Sequence, residues 1–170
     1  VFQNYLRCHD DIGWGLDFAT LKDWGMDEPA HKRYLNDFFT GKHPGSDSRG
    51  ELYNDDPVTQ DARFCGTTAS MCGIEAALFE KNDEKLERGI REDLMLHAYM
   101  LTQSGIPMLY SSDEVGRLND YSYKDDPDKA ADSRYIHRGA FQWDLAKKRK
   151  SKTSVEGQIF QTLDRMEQIR

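Results

Sequence analysis

Residues 4–14 read NYLRCHDDIGW. A strand-like run ends at Cys8 and gives way at once to His9, Asp10 and Asp11, followed by Ile12, Gly13 and Trp14. Two accounts of this triplet are open from its chemistry. Either an Asp caps a turn by accepting from backbone N–H groups, or the three side chains face a ligand. Two neighbouring carboxylates and an imidazole suit vicinal sugar hydroxyls, proton transfer, or a metal ion. A metal is the weakest of these, because His31, His43, His97 and His137 show no HxH or HExxH spacing.

The flanking sequence places the triplet at a strand end. Residues 1–9 read as a short buried strand. From Asp10 to about Asp61 glycines and prolines punctuate aromatic patches, so 10–66 is expected to be a long loop insertion with one helix at His31–Phe39. The small-residue run GTTASMCGIEAALF, 66–79, predicts a helix capped by Thr67 or Thr68. A stronger helix follows Asn82, with Leu86, Ile90, Leu94, His97, Ala98 and Leu101 on one stripe. On that stripe His97 reads as a packed core histidine. Gly105 stops the helix, and Ile106–Tyr110 predicts a second short buried strand. A second long loop covers 111–152. A last helix begins near Thr153-Ser-Val-Glu156, a candidate capping box, and carries Ile159, Phe160, Leu163 and Met166.

The order strand, long loop, helices, strand, long loop, helix is that of a parallel α/β fold. Both long loops leave the C-terminal ends of strands, the face on which a (β/α)8 barrel carries its catalytic groups. Two such units do not close a barrel. With Val1 falling inside a strand pattern, the expectation is a fragment whose other units lie upstream.

Bulk properties exclude several classes. A net charge of −7 opposes general affinity for nucleic acid or anionic lipid. No apolar run approaches the roughly 20 residues of a membrane span. Cys8, Cys65 and Cys72 are odd in number and unpatterned, which predicts reduced thiols and a cytoplasmic protein, any secretion signal then lying upstream.

Five further polar clusters stand out. SSDEVGRLND, 111–120, puts Asp113 and Glu114 after the second strand as Asp10 and Asp11 follow the first. DSRYIHR, 132–138, sets two arginines and a histidine among acids, and Arg63 follows Asp61 just before the small-residue helix. KKRKSK, 147–152, reads as a solvated loop. DDPDKAAD, 125–132, lacks the glycine and distal Glu of a calcium loop.

NYLRCHDDIGW resembles the strand-7 motif of the α-amylase superfamily (glycoside hydrolase family 13), in which a His-Asp pair closes that strand. The doubled Asp before Ile-Gly-Trp is similar to amylosucrases and related sucrose hydrolases. YNDDPVTQDARFCGTTAS (53–70), SGIPMLYSSDEVGRLND (104–120) and DDPDKAADSRYIHRGAFQWD (125–144) resemble later segments of those enzymes in the same order. Cys8 stands where Ser is frequent, and Ser112 where Gly is common.

The resemblance implies an α/β fold in which residues 1–170 are the C-terminal portion of a TIM barrel, its last two βα units, strands 7 and 8. It implies a retaining enzyme that transfers or hydrolyses α-glucosyl groups of sucrose or related α-glucosides. Its Asp nucleophile and Glu acid/base follow strands 4 and 5, outside the matched motifs, so this chain alone is expected to be inactive. Asp10 maps on the third acid, the transition-state stabiliser, and His9 on a contact in subsite −1. Asp11 and Arg63 map on contacts to the sugar in subsite +1. Arg134 maps on an arginine that bridges an acid elsewhere in the barrel. No cofactor and no metal are implied. The partners expected are sucrose or an α-glucan and the rest of the barrel, with self-association of the isolated chain. The alternative is a non-catalytic carbohydrate-binding or interaction module derived from the barrel.

Overall fold

The structure, a computed structural model, describes residues 2–170. In chain order it runs β1 (Gln3–Asn4), α1 (Phe18–Asp23), α2 (Glu28–Phe39), β2 (Glu51–Tyr53), β3 (Arg63–Cys65), α3 (Thr68–Met71), α4 (Ile74–Glu80), α5 (Asp83–Thr102) and β4 (Ile106–Pro107). Three 3-10 turns follow at Asp113–Val115, Tyr121–Asp125 and Ser133–His137. The chain then continues through α6 (Trp143–Lys147), a short 3-10 turn at Lys148–Lys150 and α7 (Val155–Ile169).

β1 and β4 pair in parallel, Gln3 opposite Ile106 and Asn4 opposite Pro107. Ile106 N donates to Phe2 O and Met108 N to Asn4 O, each at 2.8 Å. Parallel pairing is what a strand–helix–strand order requires. The two strands are nevertheless shorter than the sequence predicts, and they are not buried. Phe2 is 77% exposed and Ile106 53%, with Tyr5 and Met108 also exposed. A two-stranded sheet has no third strand and no opposing layer to cover such side chains. Each strand keeps one edge unpaired among the described residues.

The 10–66 segment is more ordered than the expected loop. Asp17 caps α1 by accepting from Thr20 N (3.1 Å), and Asp27 caps α2 by accepting from Ala30 N (2.9 Å). Pro29 sits in the first turn of α2, where its missing N–H costs nothing. β2 and β3 form an antiparallel hairpin pairing Glu51 with Cys65, Leu52 with Phe64 and Tyr53 with Arg63. Ile12 exchanges two 2.8 Å backbone bonds with Phe64, which ties the turn after β1 to this hairpin. Trp14 reinforces the tie. Its ring stacks on Phe39 at 5.0 Å, and its Nε1 donates to the fully buried Asn36 at 2.9 Å.

The helix predicted over 66–79 is broken in two. Gly73 adopts φ +85°, a left-handed conformation that ends α3 and starts α4. Thr67 is the cap, accepting from Ser70 N. Asn82 caps α5 as expected, accepting from Lys85 N at 3.0 Å. Ala69, Ile74, Ile90, Ile159 and Leu163 form the main core where α3, α4, α5 and α7 meet, with Leu86, Leu94, Leu118, Val155 and Met166 packed around it. The cap of α7 is Ser154 rather than Thr153, donated to by Gly157 N at 3.1 Å. Glu156 is drawn instead to Lys148 (2.9 Å), so no capping box forms. Lys147 pairs with Asp144, and the KKRKSK run is helical for much of its length, not an open loop. Among the described residues no helix is long and apolar enough to cross a membrane.

Candidate functional site

Arg7 anchors the end of β1 from inside. Its Nε and Nη2 donate to Asp113 Oδ1 at 3.0 and 2.7 Å, Thr68 Oγ1 donates to Asp113 Oδ2 at 3.2 Å, and the guanidinium lies 4.5 Å from the Tyr110 ring centre. Arg7 and Asp113 are both buried. Asp113 is therefore a structural ion-pair partner, and the expected symmetry between the two acidic clusters breaks. A buried arginine demands a carboxylate, and the chain places one at the turn after β4. Ser112, just before it, has φ +83°, a left-handed conformation that favours glycine.

Two residues beyond Arg7 the chain turns to solvent. The His9 side chain is 69% exposed and that of Asp10 50%. Asp10 Oδ1 accepts from Arg138 Nη2 at 3.1 Å and from Arg134 Nη1 at 3.4 Å, while Oδ2 faces His9 Nε2 at 3.4 Å. The His9 carbonyl accepts from Arg138 Nε at 2.6 Å and lies 3.3 Å from His137 Nε2. The 133–138 turn thus clamps both the backbone and the carboxylate of the His-Asp pair. Asp10, His9 and Arg134 do come together. Arg138, to which the resemblance gives no role, makes the shorter contact; the only sign of it in the sequence is its place at the end of DSRYIHR.

The fork of Arg134 is filled within the chain. Asp132 takes it bidentately at 2.8 and 2.9 Å, and the guanidinium sits 4.4 Å above Tyr53. Hydrogen bonding from Arg134 holds the Asp132 carboxyl below the usual range. The bridge to an acid elsewhere that the resemblance implies would need this pair to exchange. Arg63 is exposed at the start of β3, directly opposite Tyr53. Its guanidinium lies against Gly13, in space that any side chain there would take, and it has no carboxylate partner among the described residues. Arg63, Tyr53 and Arg134 thus form a rim beside the turn. Asp11 is half-buried and makes no ion pair among the described residues. Its charge adds to burial in raising the Cys65 thiol to about 12.

Two buried histidines stand behind this surface. His97 Nδ1 lies 3.1 Å from Asp93 Oδ1, both groups fully enclosed one turn apart on α5. Burial alone lowers the His97 pKa, but the Asp93 carboxylate outweighs it and the net shift is upward. His97 is the packed residue the stripe predicts. Its partner Asp93 is missed by a stripe that counts apolar positions only. His137 is buried edge-on to Tyr110, and burial, followed by the charge of Arg7, lowers its pKa from 6.5 to about 4.

That shift has a definite sign. Above pH 6.5 His137 is neutral in both folded and unfolded chains and contributes no pH dependence. Between 6.5 and 4 the unfolded chain takes up a proton that the folded site refuses, so stability falls with pH. The loss attributable to His137 saturates near 3 kcal/mol, at about 1.4 kcal/mol per unit. Denaturation in urea at pH 7 and pH 4.5 should show a flatter acid slope for His137→Gln than for the wild type. Equal slopes would show that His137 is not protected from protonation.

No protein-family model matches the chain. In chemical terms the surface offers a half-exposed carboxylate with one oxygen held by arginines and the other open beside an imidazole. Alongside stand two guanidiniums of one rim, Arg63 and Arg134, the second lying over Tyr53. Such a set accepts and donates hydrogen bonds to a polyhydroxylated ligand.

Proposed function

We propose that this chain supplies strands 7 and 8, with their loops, to the catalytic barrel of an amylosucrase-like or sucrose hydrolase-like enzyme of the α-amylase superfamily. The observation that carries the reading is the half-exposed Asp10 carboxylate beside His9, on the segment that follows one of two adjacent parallel strands. The unpaired edges and bare side chains of β1 and β4 suit further strands on either side. In this reading Asp10 accepts from the 2- and 3-hydroxyls of the glucosyl ring and tightens those bonds as positive charge develops on it. His9 donates to the same ring. Asp11 and Arg63 face the fructosyl or acceptor sugar, and Arg134 and Arg138 fix the carboxylate that does the work. The nucleophile and the acid/base come from strands 4 and 5. Free Cys8, Cys65 and Cys72 go with a cytoplasmic, reducing setting. Replacing Asp10 by Asn in the complete enzyme is the test: lost sucrose turnover on an intact fold supports the reading, and near-normal turnover removes Asp10 from the chemistry.

A further inference from the structure

The turn that presents His9 and Asp10 also presents a thiol. Cys8 Sγ, a His9 ring nitrogen and an Asp10 carboxylate oxygen all lie within 4.8 Å of one another, the one such group of three among the described residues. We propose that Cys8, His9 and Asp10 form a three-ligand site for zinc(II), with water as the fourth ligand.

The distances suit that ion. Zinc binds imidazole nitrogen and carboxylate oxygen at about 2.0–2.2 Å, so two such ligands on a tetrahedral ion stand about 3.3–3.6 Å apart. His9 Nε2 and Asp10 Oδ2 are 3.4 Å apart. The sulfur must close by roughly an ångström, a side-chain adjustment open to a half-exposed residue on a turn. It is already turned inward, because Asp10 N donates to Cys8 Sγ at 3.4 Å. Thiolate, imidazole and carboxylate together select a borderline cation over magnesium or calcium, which take oxygen ligands.

Nearby positive charge does not block the site. Arg134 and Arg138 both approach Oδ1, leaving Oδ2 directed at His9. Asp132 takes Arg134 bidentately and lies 3.5 Å from Arg138 Nη1, which offsets both guanidiniums. The rule of spaced histidines does not reach three consecutive ligands on one turn. On binding, the Cys8 thiol gives its proton to solvent as the Zn–S bond forms, and neutral His9 donates its ring lone pair. The other thiols do not compete: Cys65 and Cys72 are buried, and burial pushes both of their pKa values up.

The site shares His9 and Asp10 with the sugar reading, so zinc and a glucosyl ring exclude one another there, while Cys8 has no part in that reading. Metal-free protein is titrated with cobalt(II), followed by the near-ultraviolet sulfur-to-cobalt charge-transfer band, and then with zinc(II). The expected result is a band that saturates at one cobalt per chain and vanishes as zinc displaces it. Cys8→Ser abolishes the band and weakens zinc binding on the order of a hundredfold, the upper end of what losing even a supporting partner costs. A band of undiminished size in Cys8→Ser, or no band at saturating cobalt, overturns the proposal. Either failure leaves sucrose turnover and the Asp10→Asn result untouched.

Discussion

Asp10→Asn in the sucrose-acting enzyme proposed above is expected to lower kcat for sucrose by on the order of 10²–10³-fold or more, the cost of removing one preorganised group that meets transition-state charge. Asn keeps the shape of Asp and one acceptor oxygen, so the ground-state contacts to neutral hydroxyls largely survive. What goes is the negative charge, and that charge matters most when the glucosyl ring becomes oxocarbenium-like. The loss therefore falls on kcat and on kcat/KM together, with KM changing little. Stability should move by less than about 1 kcal/mol, because the Asp10 side chain is 50% exposed and its contacts to Arg134 and Arg138 are screened surface pairs. Steady-state kinetics beside a urea melt separates the two effects. A fall in activity that merely tracks a fall in stability would assign Asp10 a structural role.

Arg7→Met should destabilise the chain by about 3–5 kcal/mol. Arg7 and Asp113 are each 3% exposed at the side chain and 2.7 Å apart. Removing the cation leaves a buried carboxylate with only Thr68 to satisfy it. The pair also joins the segment after β1 to the turn after β4, so its loss frees both ends of the two-stranded sheet. A domain with a total stability of roughly 5–15 kcal/mol loses a large fraction by this one change. Replacing both partners, Arg7→Met with Asp113→Leu, should recover most of the loss, because no charge is then stranded. Equilibrium denaturation of the single and double variants checks this. A single variant within about 1 kcal/mol of wild type would show that the pair is dispensable.

The parts of this fold legible in the sequence are those with long periodic patterns or strong punctuation. α5 announces itself through its stripe and the Asn82 cap, and the C-terminal part of α2 through its shared aromatic face. Gly105 marks the passage to β4. The hairpin of β2 and β3 is not legible, because three residues per strand hold barely one and a half alternations. The split between α3 and α4 rests on a single left-handed glycine inside a run otherwise suited to helix. The caps Asp17 and Asp27 are ordinary helix-start signals, obscured by the surrounding glycines and prolines.

The candidate site divides in the same way. His9 and Asp10 can be picked out by their adjacency at a strand end, and Arg134 by the arginine content of its segment. The role of Asp113 cannot, because Asp10 and Asp113 look alike in sequence. Burial separates them: one faces solvent, and the other meets Arg7 in the interior. Arg138 and His137 reach the His9 carbonyl only because the Ser133–His137 turn folds back over the end of β1, a contact across more than 120 residues. Such long-range pairing leaves no local trace.

A crystal structure of the proposed barrel enzyme, its nucleophile disabled and sucrose bound, should show β1 and β4 as adjacent strands of a closed eight-stranded barrel, with the glucosyl 2- and 3-hydroxyls within hydrogen-bond reach of Asp10, at about 2.5–3.0 Å. A sugar seated away from Asp10 and His9, or a sheet that does not close around β1 and β4, would contradict the proposed function.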